Sequence, residues 1–338
     1  MQQREDRITL RTDLFNTSTK SFKNVALAMF RFQYAYNKTY RSFSDLLGTK
    51  PASVLELTQI PFLPIAFFKT KTIVSSKTVS DFYFESSGTT GTVNSKHFVA
   101  DLPLYEKSFI TTFQSAYGDV KDWCFVGLLP GYLERERSSL VYMVNKLIEL
   151  SGNKNSGFYL DNYEALAEIL KHNEARQQKT LLIGVTFALV NFSQQYATPL
   201  RYTTVMETGG MKGRQKEITR GEVHNIIGKS FGLMHVHSEY GMTELLSQAY
   251  AEENGKFLAA QTMQVLLRSE DDPLELIGAE QLTKARAGAL NIIDLANIDS
   301  CAFIATDDVG ILYPDGMFEV AGRLDNSDIR GCGLMLLT

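Results

Sequence analysis

Apolar residues over the first fifty positions recur every three or four places, the spacing of one helix face. Ser21 to Asn37 carries Phe22, Val25, Ala26, Ala28, Met29, Phe32 and Tyr36 on that spacing. Ser42 stands where it can cap a short helix ending at Gly48. Pro61 to Phe68 is a dense apolar connection suited to a core. Phe82, Tyr83 and Phe84 then predict a buried strand, and Lys96 to Val99 a second, with a polar loop between them.

From residue 100 short apolar runs alternate with helical stretches. Leu104 to Tyr117 reads as a helix, and Trp123 to Leu129 as a strand stopped by Pro130 and Gly131. A helix follows from Ser138 to Leu150, stopped by Gly152, then a short strand from Ser156 to Leu160. Asp161 caps a helix from Tyr163 to Lys171, and Lys179 to Val185 is strand-like, with a helix through Tyr196 behind it. Tyr202 to Met206 is the next strand, Lys216 to Lys229 the next helix, and Met234 to Ser238 the last strand of the series. Such alternation calls for an α/β fold, a parallel sheet with helices on its faces. Ligands on these sheets bind at the carboxyl ends of the strands. There the loops 130–137, 208–214 and 239–244 stand out.

After residue 258 the pieces become short and strand-rich: Gln264 to Arg268, Leu290 to Asp294, Ala302 to Ala305, and a hairpin from Ile311 to Glu319 turning at Pro314 to Gly316. They predict an antiparallel β part over about 259–322.

Composition narrows the classes. A net charge of −4 argues against a generally basic nucleic-acid-binding face, so no nucleic-acid partner is expected. The longest apolar run, Leu181 to Val190, is too short to span a bilayer, and no apolar signal segment follows the polar N-terminus. Three cysteines, Cys124, Cys301 and Cys332, without a CxxC pair fit a reducing compartment, hence a cytoplasmic expectation. Cys124 and Cys301 sit inside apolar strands and read as inert, whereas Cys332 lies between two glycines after Arg330, where a thiol is accessible.

The loop after Phe84 is the chemically distinctive stretch. Ser86, Ser87, Gly88, Thr89, Thr90, Gly91 and Thr92 are all glycine or hydroxyl-bearing. Backbone N–H groups and hydroxyls in such a turn form a nest for phosphate oxygens, and Lys96 would add a point charge. No Gly-Lys-Ser/Thr follows, so this is not a Walker loop. A plain polar hairpin loop is the other reading. His235 and His237 lie on one strand face, but no further ligand follows at a metal-site spacing, so they read as core or pocket-wall residues. Glu134 to Arg137 reads as a charged loop or a pocket rim.

Four stretches occur in order: Ser86-Ser-Gly-Thr-Thr-Gly91, Tyr240-Gly-Met-Thr-Glu244, Thr306-Asp-Asp-Val-Gly310 and Gly322-Arg-Leu-Asp325. Together they resemble the motifs of the adenylate-forming superfamily, which includes the acyl-CoA synthetases and luciferase-like enzymes. Pro130 to Ser139, Glu207 to Arg214 and Arg330 to Met335 look like the acyl-protein synthetases of the bacterial luciferase fatty-acid reductase system, a LuxE-like branch. The resemblance implies the N-terminal domain fold of adenylate-forming enzymes, with mostly parallel sheets. It also implies a missing C-terminal domain and its lysine, and an adenylation domain over 1–322 followed by a hinge remnant and tail at 323–338.

On that resemblance ATP, held as AMP after reaction, and Mg2+ are the expected cofactors. Ser86, Ser87, Gly88, Thr89, Thr90, Gly91 and Thr243 would hold phosphates, with Lys96 serving where the family has a Pro-Lys. Tyr240, Gly241 and Met242 would contact AMP, and Glu244 would bind the metal. Gly209 and Gly210 would let adenine or an acyl chain pass close, Lys212 and Arg214 would neutralise phosphate, and Asp308, or Asp307 in its stead, would bind ribose beside Arg323. Cys332 would receive the acyl group. The expected activity is ATP-dependent activation of a carboxylic acid, by family a fatty acid, with transfer to a thiol and hand-over to an acyl reductase or acyl-carrier protein. The alternatives are an acyltransferase that loads a carrier, CoA or reductase without adenylation, and a non-catalytic nucleotide- or acyl-binding subunit.

Overall fold

Local chemistry sets the element ends. In the helix Ser139–Ser151 the Ser138 hydroxyl accepts from Val141 N, and Gly152 ends the helix at φ 60, a left-handed conformation that glycine adopts without a Cβ clash. The computed structural model describes residues 2–16, 19–75, 80–87, 93–129, 137–160, 162–209, 219–269 and 272–324. The chain divides into two compact units. One takes the described parts of Met1–Ser108, Thr243–Ser247 and Leu258–Thr338, the other those of Phe109–Met242 and Gln248–Phe257.

The second unit is built on a parallel sheet ordered Gly157–Phe158, Cys124–Leu128, Thr180–Val185, Thr203–Thr208 and His237–Tyr240, with Ala249–Ala251 antiparallel to the last. The helices Ser139–Ser151, Tyr163–Ala175, Thr186–Gln195 and Arg220–Phe231 supply the crossovers that parallel strands need. Cys124, Val126 and Leu128 alternate onto one sheet face and pack with Leu170, Phe192 and Phe231. This is the α/β architecture the periodicity predicts.

Several ends differ from expectation. Asn162, not Asp161, caps the helix Tyr163–Ala175 by accepting from Ala165 N, while Asp161 lies outside the described residues. The helix expected from Lys216 starts only at Arg220, because Thr219 and Glu222 form a reciprocal capping box. The last parallel strand is His237–Tyr240 rather than Met234 to Ser238. Gly232 ends the preceding helix at φ 66, so the chain regains the sheet only where His237 pairs with Met206. Met234 is left exposed.

In the first unit the strands Phe303–Leu312, Arg286–Asp294, Met263–Arg268 and Leu276–Ile277 lie side by side and antiparallel. Phe318–Arg323 folds back on Phe303–Leu312, and Leu63–Pro64 joins parallel to Ile304 and Ala305. The expected β part is therefore present, and it shares its unit with the N-terminal helices. Phe30 of the helix Thr19–Tyr36 meets Phe303 edge-on at 6.4 Å. The next helix, Lys38–Leu46, is capped by Asn37, whose side chain accepts from Tyr40 N, so Ser42 lies inside it rather than at its start. Among the described residues no helix is long and apolar enough to cross a membrane.

Candidate functional site

In the first unit the strands Tyr83–Glu85 and Lys96–Phe98 form an antiparallel pair, with Glu85 opposite Lys96. Ser86 N donates to Ser95 O at 3.1 Å, and Ser95 N donates to the Ser86 hydroxyl at 2.9 Å. Ser86 thus closes the base of the loop. Ser87 is described, whereas Gly88, Thr89, Thr90 and Gly91 lie outside the described residues. The Lys96 ammonium sits 4.9 Å over the Tyr83 ring.

Thr243 to Ser247 forms neither helix nor strand, so its backbone polar groups need partners from elsewhere. Buried side chains supply them. His97 donates from Nδ1 to Thr243 O at 2.8 Å, and Asn297 Nδ2 donates to Glu244 O at 2.8 Å. Leu246 N and Ser247 N donate to Asp294 Oδ2 at 2.7 and 3.1 Å, and the Ser247 hydroxyl donates to Asp294 Oδ1 at 2.6 Å. The Glu244 side chain is buried, and that burial pushes its carboxyl up; the Ser95 hydroxyl and the charges of Arg323 and Lys69 act the other way. A carboxyl with cations at hand is poised to ionise beside a further positive charge.

Arg323 Nε donates to Asp308 Oδ1 at 3.1 Å, and the two residues face each other across the last strand pair. Asp308 is 5% exposed, whereas Asp307 points outward. Of the two candidate carboxylates, Asp308 is the one beside Arg323. Glu244, Asp308 and Arg323 thereby form one electrostatic group.

In the second unit the carboxyl ends of neighbouring parallel strands collect polar groups. Thr186 Oγ1 donates to Glu207 Oε2 at 3.0 Å and Arg220 Nε to Glu207 Oε1 at 3.2 Å. Burial raises the Glu207 carboxyl, yet His224, Arg220, Ser238 and Thr186 together bring it below its ordinary value. Glu239, on the next strand, accepts from the Thr208 hydroxyl, and burial pushes it up to about 7. Tyr240 is buried against Phe257, their ring centroids 5.8 Å apart. A Cβ at Gly241 would lie 2.5 Å from Glu239 Oε1, so the buried Glu239 carboxylate would have to shift to admit one. Gly209 turns the chain at φ 84, while Gly210, Lys212 and Arg214 lie outside the described residues. His237 Nδ1 and the Tyr117 hydroxyl share a hydrogen bond of 3.0 Å, and His235 approaches Glu253.

Cys124 and Cys301 are buried, and burial raises both thiols, that of Cys301 to about 12. Neither is a ready nucleophile. Cys332 lies outside the described residues.

No protein-family model matches the chain, and no curated protein sequence does. Solved structures do. A 2-hydroxyisobutyryl-CoA ligase in complex with 2-HIB-AMP and CoA superposes with a TM-score of 0.63 at 10% identity, over 90% of this chain and 70% of that one. ATP-bound MatB from Rhodopseudomonas palustris gives 0.53 at 14% identity, over 74% and 48%. A long-chain-fatty-acid-CoA ligase from Archaeoglobus fulgidus gives 0.50 at 15% identity, over 74% and 52%. The fold is that of the N-terminal domain of adenylate-forming enzymes. The chain spans between about half and 70% of the length of these ligases.

Asp294, Asn297 and His97 belong to none of the motifs visible in the sequence. One signal was available for Asp294: a charge set inside the apolar run Leu290-Asn-Ile-Ile-Asp-Leu-Ala296 has to be buried and hydrogen-bonded. Nothing in the spacing pointed from Asn297 to Glu244, or from His97 to Thr243.

Proposed function

We propose that this protein activates a carboxylic acid with ATP as an acyl adenylate and passes the acyl group to a thiol, its own Cys332. The observation that carries the reading is the grouping of Glu244, Asp308 and Arg323, with Thr243 to Ser247 held in an irregular conformation by buried side chains. The adenylate-forming fold supports it.

In the first step a carboxylate oxygen attacks the α-phosphorus of ATP and pyrophosphate leaves. Two anions must meet, so the work is electrostatic and positional. Ser87, Thr89, Thr90 and Thr243 hold phosphate oxygens, and Lys96 lends positive charge. Asp308 takes the ribose hydroxyls, held in place by Arg323. Among the described residues no three carboxylate, imidazole or thiol side chains gather as a ready-made metal site. The Glu244 carboxyl, buried beside the Ser95 hydroxyl, fits Mg2+ of the kind completed by nucleotide oxygens. The ion would neutralise phosphate charge. In the second step the Cys332 thiolate attacks the acyl carbonyl carbon, the bond to AMP breaks, and the thiol proton goes to solvent. A fatty acid is the substrate and an acyl reductase or acyl-carrier protein the recipient on this reading.

Acid-dependent ATP–pyrophosphate exchange across a panel of carboxylates is the test. Glu244→Gln should abolish it with little change in thermal stability. Asp308→Ala should raise KM for ATP more than KM for the acid. Cys332→Ala should keep exchange but form no hydroxylamine-sensitive acyl-protein. A wild-type chain that exchanges pyrophosphate with no acid on the panel would overturn the proposal.

A further inference from the structure

Among the described residues three buried side-chain polar atoms have no partner: Gln248 Oε1, just past the Thr243–Ser247 segment, and His97 Nε2 and Asn297 Oδ1, whose residues hold that segment. The chemistry of the last two is fixed by what their residues' other atoms do. His97 donates from Nδ1 to Thr243 O, so Nε2 carries no proton and is an acceptor. Burial pushes the imidazole down to about 4, against the Thr243 carbonyl and the Asn297 side chain, which favour its protonated form. Asn297 donates from Nδ2 to Glu244 O and, at 3.3 Å, to Asp294 Oδ2, so its remaining atom is the carbonyl oxygen, also an acceptor.

Two acceptors cannot satisfy each other, and leaving both dry inside the protein is costly. Both residues line one small, partly open pocket shared with Leu104, Leu246 and Ser300, with room for roughly one water. Asp101 and Asp299 line it too, and both pair with Arg7. A water molecule is the small donor that serves two acceptors at once.

We infer that a buried water donates to His97 Nε2 and Asn297 Oδ1, and that the bridged pair are positioning residues setting the Thr243 and Glu244 carbonyls. Neither side chain reaches substrate; each acts through the peptide it holds. The bridge ties the hairpin strand Lys96–Phe98, at the foot of the glycine–hydroxyl loop, to the segment bearing Glu244. This inference rests on the proposed adenylation role of Glu244 for its catalytic consequence, but not for its geometry.

The test uses the full chain. Nitrogen-15 NMR of labelled histidine at pH 7 should find His97 with one protonated and one bare ring nitrogen. An imidazolium would donate directly to Asn297 Oδ1 and overturn the bridge. Hydrogen exchange of the peptide spanning 241–247 then reads the positioning. His97→Asn keeps an amide donor where Nδ1 was but loses the Nε2 acceptor, so its protection should fall between wild type and His97→Leu. His97→Leu and Asn297→Ala should lose protection in that peptide while the rest of the unit keeps it. Their kcat for acid-dependent exchange should fall about 10- to 100-fold with KM for the acid nearly unchanged. Protection lost evenly across the unit, or not at all, would reduce both residues to packing. The two variants act at different places, so one that fails to fold leaves the other to decide. If the wild type shows no exchange activity, the adenylation reading fails, while NMR and hydrogen exchange still judge the bridge.

Discussion

The two units bury polar groups in opposite ways. In the parallel-sheet unit the buried carboxylates Glu207 and Glu239 are paired with other side chains, Thr186, Arg220 and Thr208, while strand and helix backbones satisfy themselves. Around Thr243 to Ser247 it is the backbone that is in need, and His97, Asp294 and Asn297 meet the need from distant positions. A regular element spreads its hydrogen bonds over many residues. An irregular segment concentrates them on a few side chains, so single substitutions should cost more there.

The largest effect should come from Asp294→Ala. It strips partners from Leu246 N, Ser247 N, Ala296 N and the Ser247 hydroxyl at once. A loss of about 4 kcal/mol or outright unfolding is expected by urea denaturation. A cost no greater than that of an ordinary surface change would erase the contrast.

Next is Glu239, through pH. Folding raises its carboxyl from 4.5 to about 7, first by burial, opposed by the Thr208 hydroxyl and added to by Glu207. Between those values the folded chain keeps a proton that the unfolded chain has released. Stability therefore falls as pH rises through the window, by up to about 1.4 kcal/mol per pH unit. Glu239→Gln should flatten that slope and give the more stable protein at pH 8, as measured by denaturant midpoints across pH. A slope unchanged by the substitution would assign it elsewhere.

Gly241→Ala should cost about 2 kcal/mol, because its Cβ must displace the Glu239 carboxylate. Paired with Glu239→Gln it should show coupling in a double-mutant cycle. Smallest of all, Thr219→Ala removes one helix cap in the regular unit and should cost about 1 kcal/mol by thermal melting. If it matched Asp294→Ala, the two units would be equally tolerant.

The same contrast decides what could be read in advance. Ser138 and Gly152 bracket their helix in sequence and in space, and the strand Thr180–Val185 lies inside the run predicted for it. Those features rest on neighbours, and neighbours are visible in a sequence. The caps expected at Ser42 and Asp161 lie instead at Asn37 and Asn162, because several polar residues compete locally and spacing alone does not choose among them. Asp308 and Arg323 stand together, as their motifs led one to expect, whereas the register shift after Val309 in that strand pair has no signal in the spacing. The partners of Thr243 to Ser247 were out of reach for a different reason. His97 stands 146 positions from Thr243, and Asn297 stands 53 from Glu244. No periodicity links such positions; only the folded chain does.

The order of strands also has a consequence for synthesis on the ribosome. Leu63 pairs with Ile304, so an early strand waits for a partner made about 240 residues later, roughly 10–50 s at ordinary elongation rates. The parallel strands between Cys124 and Tyr240 need no residue beyond their own stretch to find one another. The middle of the chain should thus acquire structure while the beginning is still unfinished. Nascent chains stalled near residue 300, long enough for residue 257 to have left the ribosome but short of Ile304, should then yield a protease-resistant fragment from about 109 to 257 and a first hundred residues that are readily cut. The first hundred residues are made before the middle of the chain yet complete their folding after it, and they are the part a chaperone would have to guard.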